Sequence, residues 1–505
     1  MQPLVFVGSS LAVLQYMDIR SSLRLFPLLL GGLVGLVIGG SAPPLYAQEE
    51  PSPWKYSATL FGSGSTSGSL PFWLHANQYG IADPQSANAG LRLRSQRSFT
   101  TKRGPDYEVG GELLGRASSH STAYVHELYG RLQYQGIQLT AGRYEQKIVG
   151  RSDSTLSLGQ VTWSPNASPI PKISISSNGY LSIPGTGNAL AVNGYFAHGW
   201  LEEDRFVQNA LLHEKYLYVR LLSPEAPVRA HVGMTHHATW GGTHPQRGEQ
   251  PSDFIDWAYV VRGRSRVTDT GARATGVNQL ASYDFSLDAT VKGIDTRLYR
   301  QFYHEDTPSL WFRNPWDGLW GLSLRREDDA ALVTALLWEH FRMTRHNAKF
   351  SEGEERGEDT YYDHSVYRSG WTYQGRTLGV PLITTPSTTP GVDDALPGIA
   401  NSIVVAHHLG VEGMLRPNLS YQLLGTYSRN YGAQGVCETP SCRDRIDRRT
   451  SRKDQYSFRV SLRTSLLDKR NLWLRTAVAF DTGELYDDRM GLSVQLTWKS
   501  RPSND

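Results

Sequence analysis

Three histidines lie close together in the stretch G-M-T-H-H-A-T-W-G-G-T-H-P. Imidazole nitrogens are common zinc ligands, so His236, His237 and His244 suggest a metal centre. On a strand, however, neighbouring side chains point to opposite faces, and His244 follows a Gly-Gly pair that predicts a turn. The spacing therefore favours a strand end with a rim-type Trp240 over a metal site.

Adjacent carboxylates suggest a second chemistry, the hydrolysis of glycosidic bonds, which needs two carboxyl groups across a cleft. Glu202–Glu203 and Asp393–Asp394 are the candidates, but adjacent acids are more typical of solvated turns. The sequence contains neither a G-x-S-x-G elbow nor a P-loop. We therefore expect a protein without catalytic residues, metal or cofactor.

Sugar binding is the third chemistry, and it needs aromatic faces together with polar or charged groups. One candidate cluster contains Tyr361, Tyr362, Tyr367, Trp371 and Tyr373 with Arg368 and Arg376. The other contains Arg443, Arg445 and Arg448. Because arginine captures carboxylates with two hydrogen bonds, these clusters indicate an acidic polysaccharide bound by outward loops. The alternative is that the aromatic residues belong to a barrel core or girdle and the charges to a solvated loop.

The elements that would carry these residues are strands with a two-residue period. Leu492, Val494, Leu496 and Trp498 alternate with polar residues, and the same alternation runs through 456–463, 472–480, 419–428 and 283–292. The segments reach about ten residues, which is the length of a tilted strand that crosses a bilayer. Together with the aromatic strand ends, this predicts a membrane β-barrel rather than a soluble sandwich.

The connections and the remaining segments fit the same fold. The charged segment from Arg429 to Gln455 is long, whereas L-D-K-R-N at 467–471 is short, and this asymmetry is typical of outer-membrane barrels. At roughly 25 residues per strand and connection, the chain allows about 16 to 20 antiparallel strands. We expect short helices at 252–261 and 70–78, and a strand rather than a helix at 210–222.

The N-terminus predicts export. Arg20 and Arg24 precede an apolar run that ends at Gly39, and Leu45 to Gln48 then reads L-Y-A-Q. This pattern predicts a signal peptide over residues 1–47, with Met17 as an alternative start, followed by a single barrel domain over 48–505. The long outward loops are expected at about 345–400 and 429–455.

The two cysteines, Cys437 and Cys442, lie in one loop of an exported chain, where a disulfide is the expected state. The net charge of +3 does not indicate a nucleic-acid partner. The 26 tyrosines and 13 tryptophans favour strands and membrane interfaces. We expect a monomer whose partners are outer-membrane lipid and a polysaccharide.

Several segments together resemble the Wzi family of capsule assembly proteins, particularly its Bacteroidetes-type branch. They read P-F-W-L-H-A-N-Q-Y-G, S-P-N-A-S-P-I-P, L-L-H-E-K-Y-L-Y-V-R, T-H-H-A-T-W-G-G, D-T-Y-Y-D-H-S-V-Y-R-S-G-W-T-Y-Q-G-R-T-L-G-V-P-L and H-H-L-G. The resemblance implies an outer-membrane barrel of about 18 strands with a helical plug at its periplasmic end. The implied role is that of a lectin-like protein that anchors capsular or exopolysaccharide at the cell surface.

Two other functions stay open at this point. The same barrel would suit a porin or carbohydrate channel, provided that its lumen is open. An exported, soluble β-sandwich that hydrolyses glycans would also show alternating strands.

Overall fold

The computed structural model describes residues 54–146, 155–266, 276–305, 314–348, 359–389, 398–433, 452–467 and 471–500. Several predictions concern residues outside these ranges. They are the signal peptide, the Asp393–Asp394 pair, the Cys437–Cys442 disulfide, and the sugar-binding role of Arg443, Arg445 and Arg448.

Antiparallel strands dominate the described residues. In chain order they are β1 (Lys55–Ser65), β2 (Asn88–Phe99), β3 (Asp106–Ala117), β4 (Thr122–Tyr134), β5 (Ile137–Arg143), β6 (Pro171–Ser177), β7 (Leu181–Ser182), β8 (Leu190–Trp200), β9 (Leu211–Leu221), β10 (Val228–Trp240), β11 (Thr243–His244), β12 (Gly248–Glu249), β13 (Val277–Val291), β14 (Ile294–Glu305), β15 (Gly318–Arg326), β16 (Ala335–Met343), β17 (Thr372–Tyr373), β18 (Arg376–Thr377), β19 (Val404–Arg416), β20 (Leu419–Asn430), β21 (Lys453–Leu467), β22 (Leu472–Gly483) and β23 (Arg489–Lys499).

The long strands close into one barrel. Each pairs with its neighbours in the chain, and β1 pairs with both β2 and β23, with Leu60 opposite Leu91 on one side and Leu496 on the other. Among the described residues the wall has 18 strands, because β7 only extends the edge beside β8 and the other two-residue strands pair outside the wall. The prediction of a closed barrel with 16 to 20 strands is confirmed.

The segment 100–104 lies between β2 and β3 in the chain. Within it, the backbone N–H of Gly104 donates to the Thr101 hydroxyl at 3.0 Å.

Alternation along each strand separates a lipid-type face from the lumen. Leu217, Val232 and Leu287 point outward and are 54%, 40% and 52% exposed. The alternate positions point inward and carry polar groups, among them Thr235 and Asp284. This is the pattern expected when apolar side chains meet lipid and polar ones meet the inside of a barrel.

The two ends of the barrel differ in the length of their connections. Gln135–Gly136, Lys292–Gly293 and Pro417–Asn418 are two-residue turns at one end, which we call the short-turn end. At the other, the long-loop end, residues 241–276 join β10 to β13 and residues 344–403 join β16 to β19. The predicted asymmetry of short turns and long loops is present.

Helices are few, as the sequence predicts. Helix α1 (Phe72–His75) is shorter than the predicted 70–78, and Asn77 follows it with a left-handed φ of 53°. Helix α2 (Phe254–Val261) starts after Asp253, which forms a capping box with Asp256, rather than after Ser252. None of the helices in the described ranges has the length and apolar character needed to cross a membrane.

Candidate functional site

Three largely irregular segments, which contain only α1, β17, β18 and a short 3-10 turn, enter the lumen from the long-loop end. We call residues 70–87, 155–170 and 359–389 together the lumen plug. Its side chains supply much of the largest buried apolar cluster, including Trp73, Leu158, Tyr362 and Trp371. Within the described residues, the lumen is therefore filled from the long-loop end and not by a helical element at the short-turn end, which corrects the expectation of a periplasmic helical plug.

The segment 155–170 is fixed to the wall through its backbone. Glu339 of β16 accepts hydrogen bonds from the Ser157 hydroxyl at 2.6 Å and the Leu158 N–H at 2.7 Å. On β19, the Nε2 of His408 lies 2.7 Å from the carbonyl oxygen of Leu156. Wall side chains thus satisfy backbone groups that would otherwise be buried without partners.

The segment 359–389 is fixed in turn to segment 155–170. The Trp371 Nε1–H donates to the Thr162 carbonyl at 2.7 Å, and the Tyr362 hydroxyl donates to the Val161 carbonyl at 2.6 Å. Gly379 lies so close that a Cβ there would be 2.6 Å from the Val161 carbonyl oxygen. A larger residue at position 379 would separate the two segments.

The first predicted sugar-binding cluster lies mostly inside this plug. Exposure is 0% for Tyr361, Tyr362 and Trp371. Tyr367 and Tyr373 are also buried. The expectation that these side chains face outward on a loop is therefore wrong. The buried, barrel-core alternative describes them correctly, because they fill a lumen that the wall alone leaves open.

Arg376 is also buried, and it connects two parts of the plug. Its guanidinium donates to the carbonyl of His75 at 3.2 Å and to that of Ala82. Burial lowers the pKa of Arg376 to about 10, and the nearby Arg116 acts in the same direction. Its bonds to carbonyls identify a structural role, since these donors are already engaged within the protein.

Arg368 differs from the other predicted residues because it stays partly exposed at the long-loop end. Its guanidinium lies 5.3 Å from the centre of the Phe206 ring, and the Phe206 ring makes an edge contact with His244 at 5.2 Å. Arg247 beside them is exposed. We call Phe206, His244, Arg247 and Arg368 the rim patch, which offers an aromatic ring and two cations.

Two titratable groups beside the rim patch are partly buried, and burial shifts the pKa of each. Burial raises the pKa of Asp363 to about 7, although the His364 N–H and the Arg368 guanidinium lower it. Burial and Arg247 lower the pKa of His364 to about 4, so its ring is neutral at pH 7. The Nδ1 of His364 accepts the backbone N–H groups of Val366 and Tyr367 at 3.1 and 3.2 Å.

The three histidines of the opening motif do not converge on one point. His237 faces the lumen and stacks on Trp163 of the plug, whereas His236 faces outward and lies 3.0 Å from Gln279. The Nδ1 of His244 accepts the backbone N–H groups of Gln246 and Arg247 at 3.1 Å each. Their positions match the predicted strand end, and Gly241 and Gly242 turn the chain with φ of 64° and 83°.

A third group of residues, the charged wall, lies on the lumen side of β2, β3 and β4 and just beyond the end of β5. It consists of Arg92, Arg94, Glu108, Glu112, His126, Glu127, Arg131 and Glu145. Ligand atoms of Glu112, His126 and Glu145 lie within 4.8 Å of one another, a spacing that a metal ion would also require. However, Arg92 contacts Glu112 at 2.7 Å and Glu145 at 3.0 Å, so a guanidinium already neutralises these carboxylates.

Sequence reasoning did not identify the charged wall or Phe206. A signal for the wall is present, since Arg92 and Arg94 alternate with Leu91 and Leu93, which are 42% and 45% exposed on the outer face. The β-bulge at His126 shifts the register between β3 and β4 and interrupts the alternation, because the adjacent His126 and Glu127 are both buried. A strict two-residue period therefore does not identify the wall residues of β4.

Comparison with known proteins extends these observations. The family model described as "Capsule assembly protein Wzi" matches residues 73–382, which include the whole plug except residues 70–72 and 383–389. A sequence search of curated proteins found no match. The branch within the family remains a prediction.

One solved structure supports the fold. Wzi from Escherichia coli, reported as an outer-membrane protein involved in group 1 capsule assembly and a carbohydrate-binding β-barrel, superposes with a TM-score of 0.57 at 14% identity. The alignment covers 88% of this chain and 84% of that protein. OccK3 from Pseudomonas aeruginosa is less similar, with a TM-score of 0.46 at 10% identity over 89% of this chain and 96% of that one.

Proposed function

The chain belongs to the Wzi family of capsule assembly proteins, and from this premise we propose that it anchors a surface polysaccharide at the outer membrane without catalysing a reaction. The observation that carries the proposal is the lumen plug. A barrel of this strand number would leave an aqueous channel if its lumen were empty. Filling it with buried tyrosine and tryptophan side chains favours a binding scaffold over a channel.

The long-loop end would carry the binding surface, because outer-membrane barrels place long loops outside the cell and short turns in the periplasm. The rim patch lies at this end. An aromatic ring can stack on a sugar ring, and arginine can hold a carboxylate with two parallel hydrogen bonds. Arg247 and Arg368 therefore favour an acidic glycan such as one that contains uronic acids.

The remaining predicted residues take two roles in this proposal. Tyr361, Tyr362, Trp371 and Arg376 position the loops from below and do not touch the sugar themselves. Arg443, Arg445 and Arg448 stay candidate contacts on a second outward loop, and their contribution is testable by the same experiment.

The decisive experiment is gene deletion in the organism that makes the glycan. Loss of the protein should release polysaccharide into the medium while total synthesis is unchanged. Complementation with the wild-type gene should restore surface retention, whereas the double variant Arg247→Gln/Arg368→Gln should restore it only in part. The variant Arg326→Gln/Arg416→Gln removes two exposed charges at the short-turn end and serves as the matched control.

Two results would contradict the proposal. A deletion strain that keeps all its polysaccharide at the cell surface would exclude the anchoring role. A protein that fractionates with the soluble periplasm, without heat-modifiable gel mobility, would exclude a membrane barrel and favour the hydrolase alternative.

A further inference from the structure

Helix α2 packs on the outside of the barrel near the long-loop end. Ala238 and Trp240 occupy outward-facing positions of β10 and form an apolar cluster with Val260 of the helix. Trp257 packs against the same cluster and makes an edge contact with Phe196 of β8 at 6.3 Å. The predicted rim residue Trp240 is thus only 3% exposed, because α2 covers it.

The same helix covers polar side chains that face away from the lumen. The Lys215 ammonium group donates to the Val261 carbonyl at the end of α2. His236 and Gln279, also on the outer face, bond to each other at 3.0 Å. A polar group in contact with hydrocarbon is costly, so these contacts indicate that α2 lies where the wall passes from lipid to headgroups.

The outer face of α2 carries large apolar residues that nothing in the described structure covers. Phe254 is 77% exposed and Ile255 is 55% exposed. The nearby acids are already engaged, since Asp253 and Asp256 form the capping box and Asp256 pairs with Arg266 at 3.4 Å. The helix therefore presents an apolar surface whose negative charges are internally compensated.

Three arginines follow the helix at alternate, exposed positions, namely Arg262, Arg264 and Arg266. Among the described residues, Arg262 and Arg264 form no ion pair, unlike Arg266. Beside them is a small pocket lined by Pro251, Asp256, Val260, Arg264, Arg266, Gly276 and Val277. Cations and apolar groups are thus adjacent on the outer surface of the barrel.

We propose that Phe254, Ile255 and the arginines 262, 264 and 266 form a docking surface for phosphorylated lipid of the outer leaflet. Apolar side chains of an interfacial helix enter the boundary of the acyl chains, and arginines beside them pair with lipid phosphates. Because α2 lies on the outward face of the wall, where apolar side chains meet lipid, its positive charge favours an anionic lipid over a protein partner. The inference rests on the proposed outer-membrane location, and it adds a lipid headgroup to the partners of the barrel.

The test uses the purified full-length mature protein in neutral detergent, with retained lipids counted by native mass spectrometry. The probes are bis-phosphorylated lipid A, dephosphorylated lipid A and inorganic phosphate. We expect the wild-type protein to retain bis-phosphorylated lipid A and the variant Arg262→Gln/Arg264→Gln to bind it about tenfold more weakly. The variant Phe254→Gln/Ile255→Gln should retain less of both forms of lipid A. The control variant Arg326→Gln/Arg416→Gln should retain both forms as the wild type does.

Each outcome decides one point. Equal retention by the wild-type protein and the Arg262→Gln/Arg264→Gln variant would overturn the inference, as would equal retention of the two forms of lipid A. Competition by inorganic phosphate would show a free-anion site instead of a lipid surface. The variants should keep heat-modifiable mobility and glycan retention. If the wild-type protein itself lacks heat-modifiable mobility and does not retain glycan, the proposed function is wrong. If only the retention of lipid differs from the expectation, the lipid site alone is wrong.

Discussion

The two sides of the lumen use the same alternating strands in opposite ways. On β13 to β20, inward polar groups such as Glu339 and His408 bond to the backbone of the plug and are buried. On β2 to β5, inward polar groups such as Arg131 and Glu108 bond to each other and remain 27% and 19% exposed. A two-residue period therefore shows which residues face inward, but not whether the inside is dry.

This difference has energetic consequences. A buried carboxylate that accepts several donors is costly to remove, because its partners stay buried without a replacement. A partly exposed ion pair contributes little, because water and salt screen it. We therefore expect substitutions on the plug side to destabilise the barrel far more than those on the charged wall.

The largest effect is expected for Trp371→Ala, since its ring is fully buried and contacts Thr162 of the plug and His237 of the wall. Removing a buried tryptophan leaves a cavity and costs about 3–5 kcal/mol. Guanidinium titration in lipid vesicles measures the free energy of unfolding. The exposed Trp316, which is 48% exposed, provides the control, and Trp316→Ala should change this energy by less than about 1 kcal/mol.

The next largest effect is expected for Glu339→Ala, which should lower the free energy of unfolding by about 3 kcal/mol. The substitution leaves the Leu158 N–H and the hydroxyls of Ser157 and Tyr299 buried without their acceptor. Glu339→Gln keeps one acceptor oxygen and should lower the free energy of unfolding by less. Limited proteolysis of the folded barrel checks the cause, since release of segment 155–170 should make it cleavable. Equal protease resistance of wild type and Glu339→Ala would show that Glu339 does not hold the plug.

The pH dependence of unfolding tests the burial of Asp363 beside the rim patch. Burial raises its pKa in the folded protein to about 7, whereas the ordinary value is 3.8. Folding favours the neutral form of the Asp363 side chain. Its contribution to the stability of the folded protein is therefore fully present below about pH 4 and is lost as the pH rises through 7. Asp363→Asn should remove this dependence and stabilise the protein at pH 8 by about 1 kcal/mol, discounted for partial exposure. Thermal unfolding of both proteins at pH 5 and pH 8 measures the difference.

The smallest effect is expected for Arg131→Gln on the charged wall. Its partner Glu108 keeps hydrogen bonds from Gln96 at 2.8 Å and Tyr129 at 3.1 Å. The substitution should lower the free energy of unfolding by less than about 1 kcal/mol, and the difference should be smaller still in high salt. A loss as large as that of Glu339→Ala would remove the distinction between the two sides.

Much of the fold was predictable because its signals are local. The alternation at 419–428 and 492–498 predicted β20 and β23, and the preference for a strand at 210–222 agrees with β9. Gly241 and Gly242 predicted the turn after β10. The predicted helix at 252–261 begins two residues later, because Asp253 and Asp256 together form a better cap than Ser252 alone.

The plug was not predictable in the same way. Segments 155–170 and 359–389 have no period, and their order comes from contacts between distant residues, such as Trp371 with Thr162. Aromatic residues in an irregular segment suit an exposed sugar site and a buried plug equally well. Only the three-dimensional wall shows which surface is available, and for this reason Arg368 stayed a candidate contact while Tyr361 and Tyr362 did not.

Conductance across a planar lipid bilayer tests the closed lumen most directly. Purified wild-type protein should insert and show little steady conductance, because the plug fills the space between the wall strands. Trp371→Ala should add frequent openings, while Arg131→Gln should behave as the wild type does. Large, steady single-channel steps from the wild-type protein would contradict the account and would favour a channel.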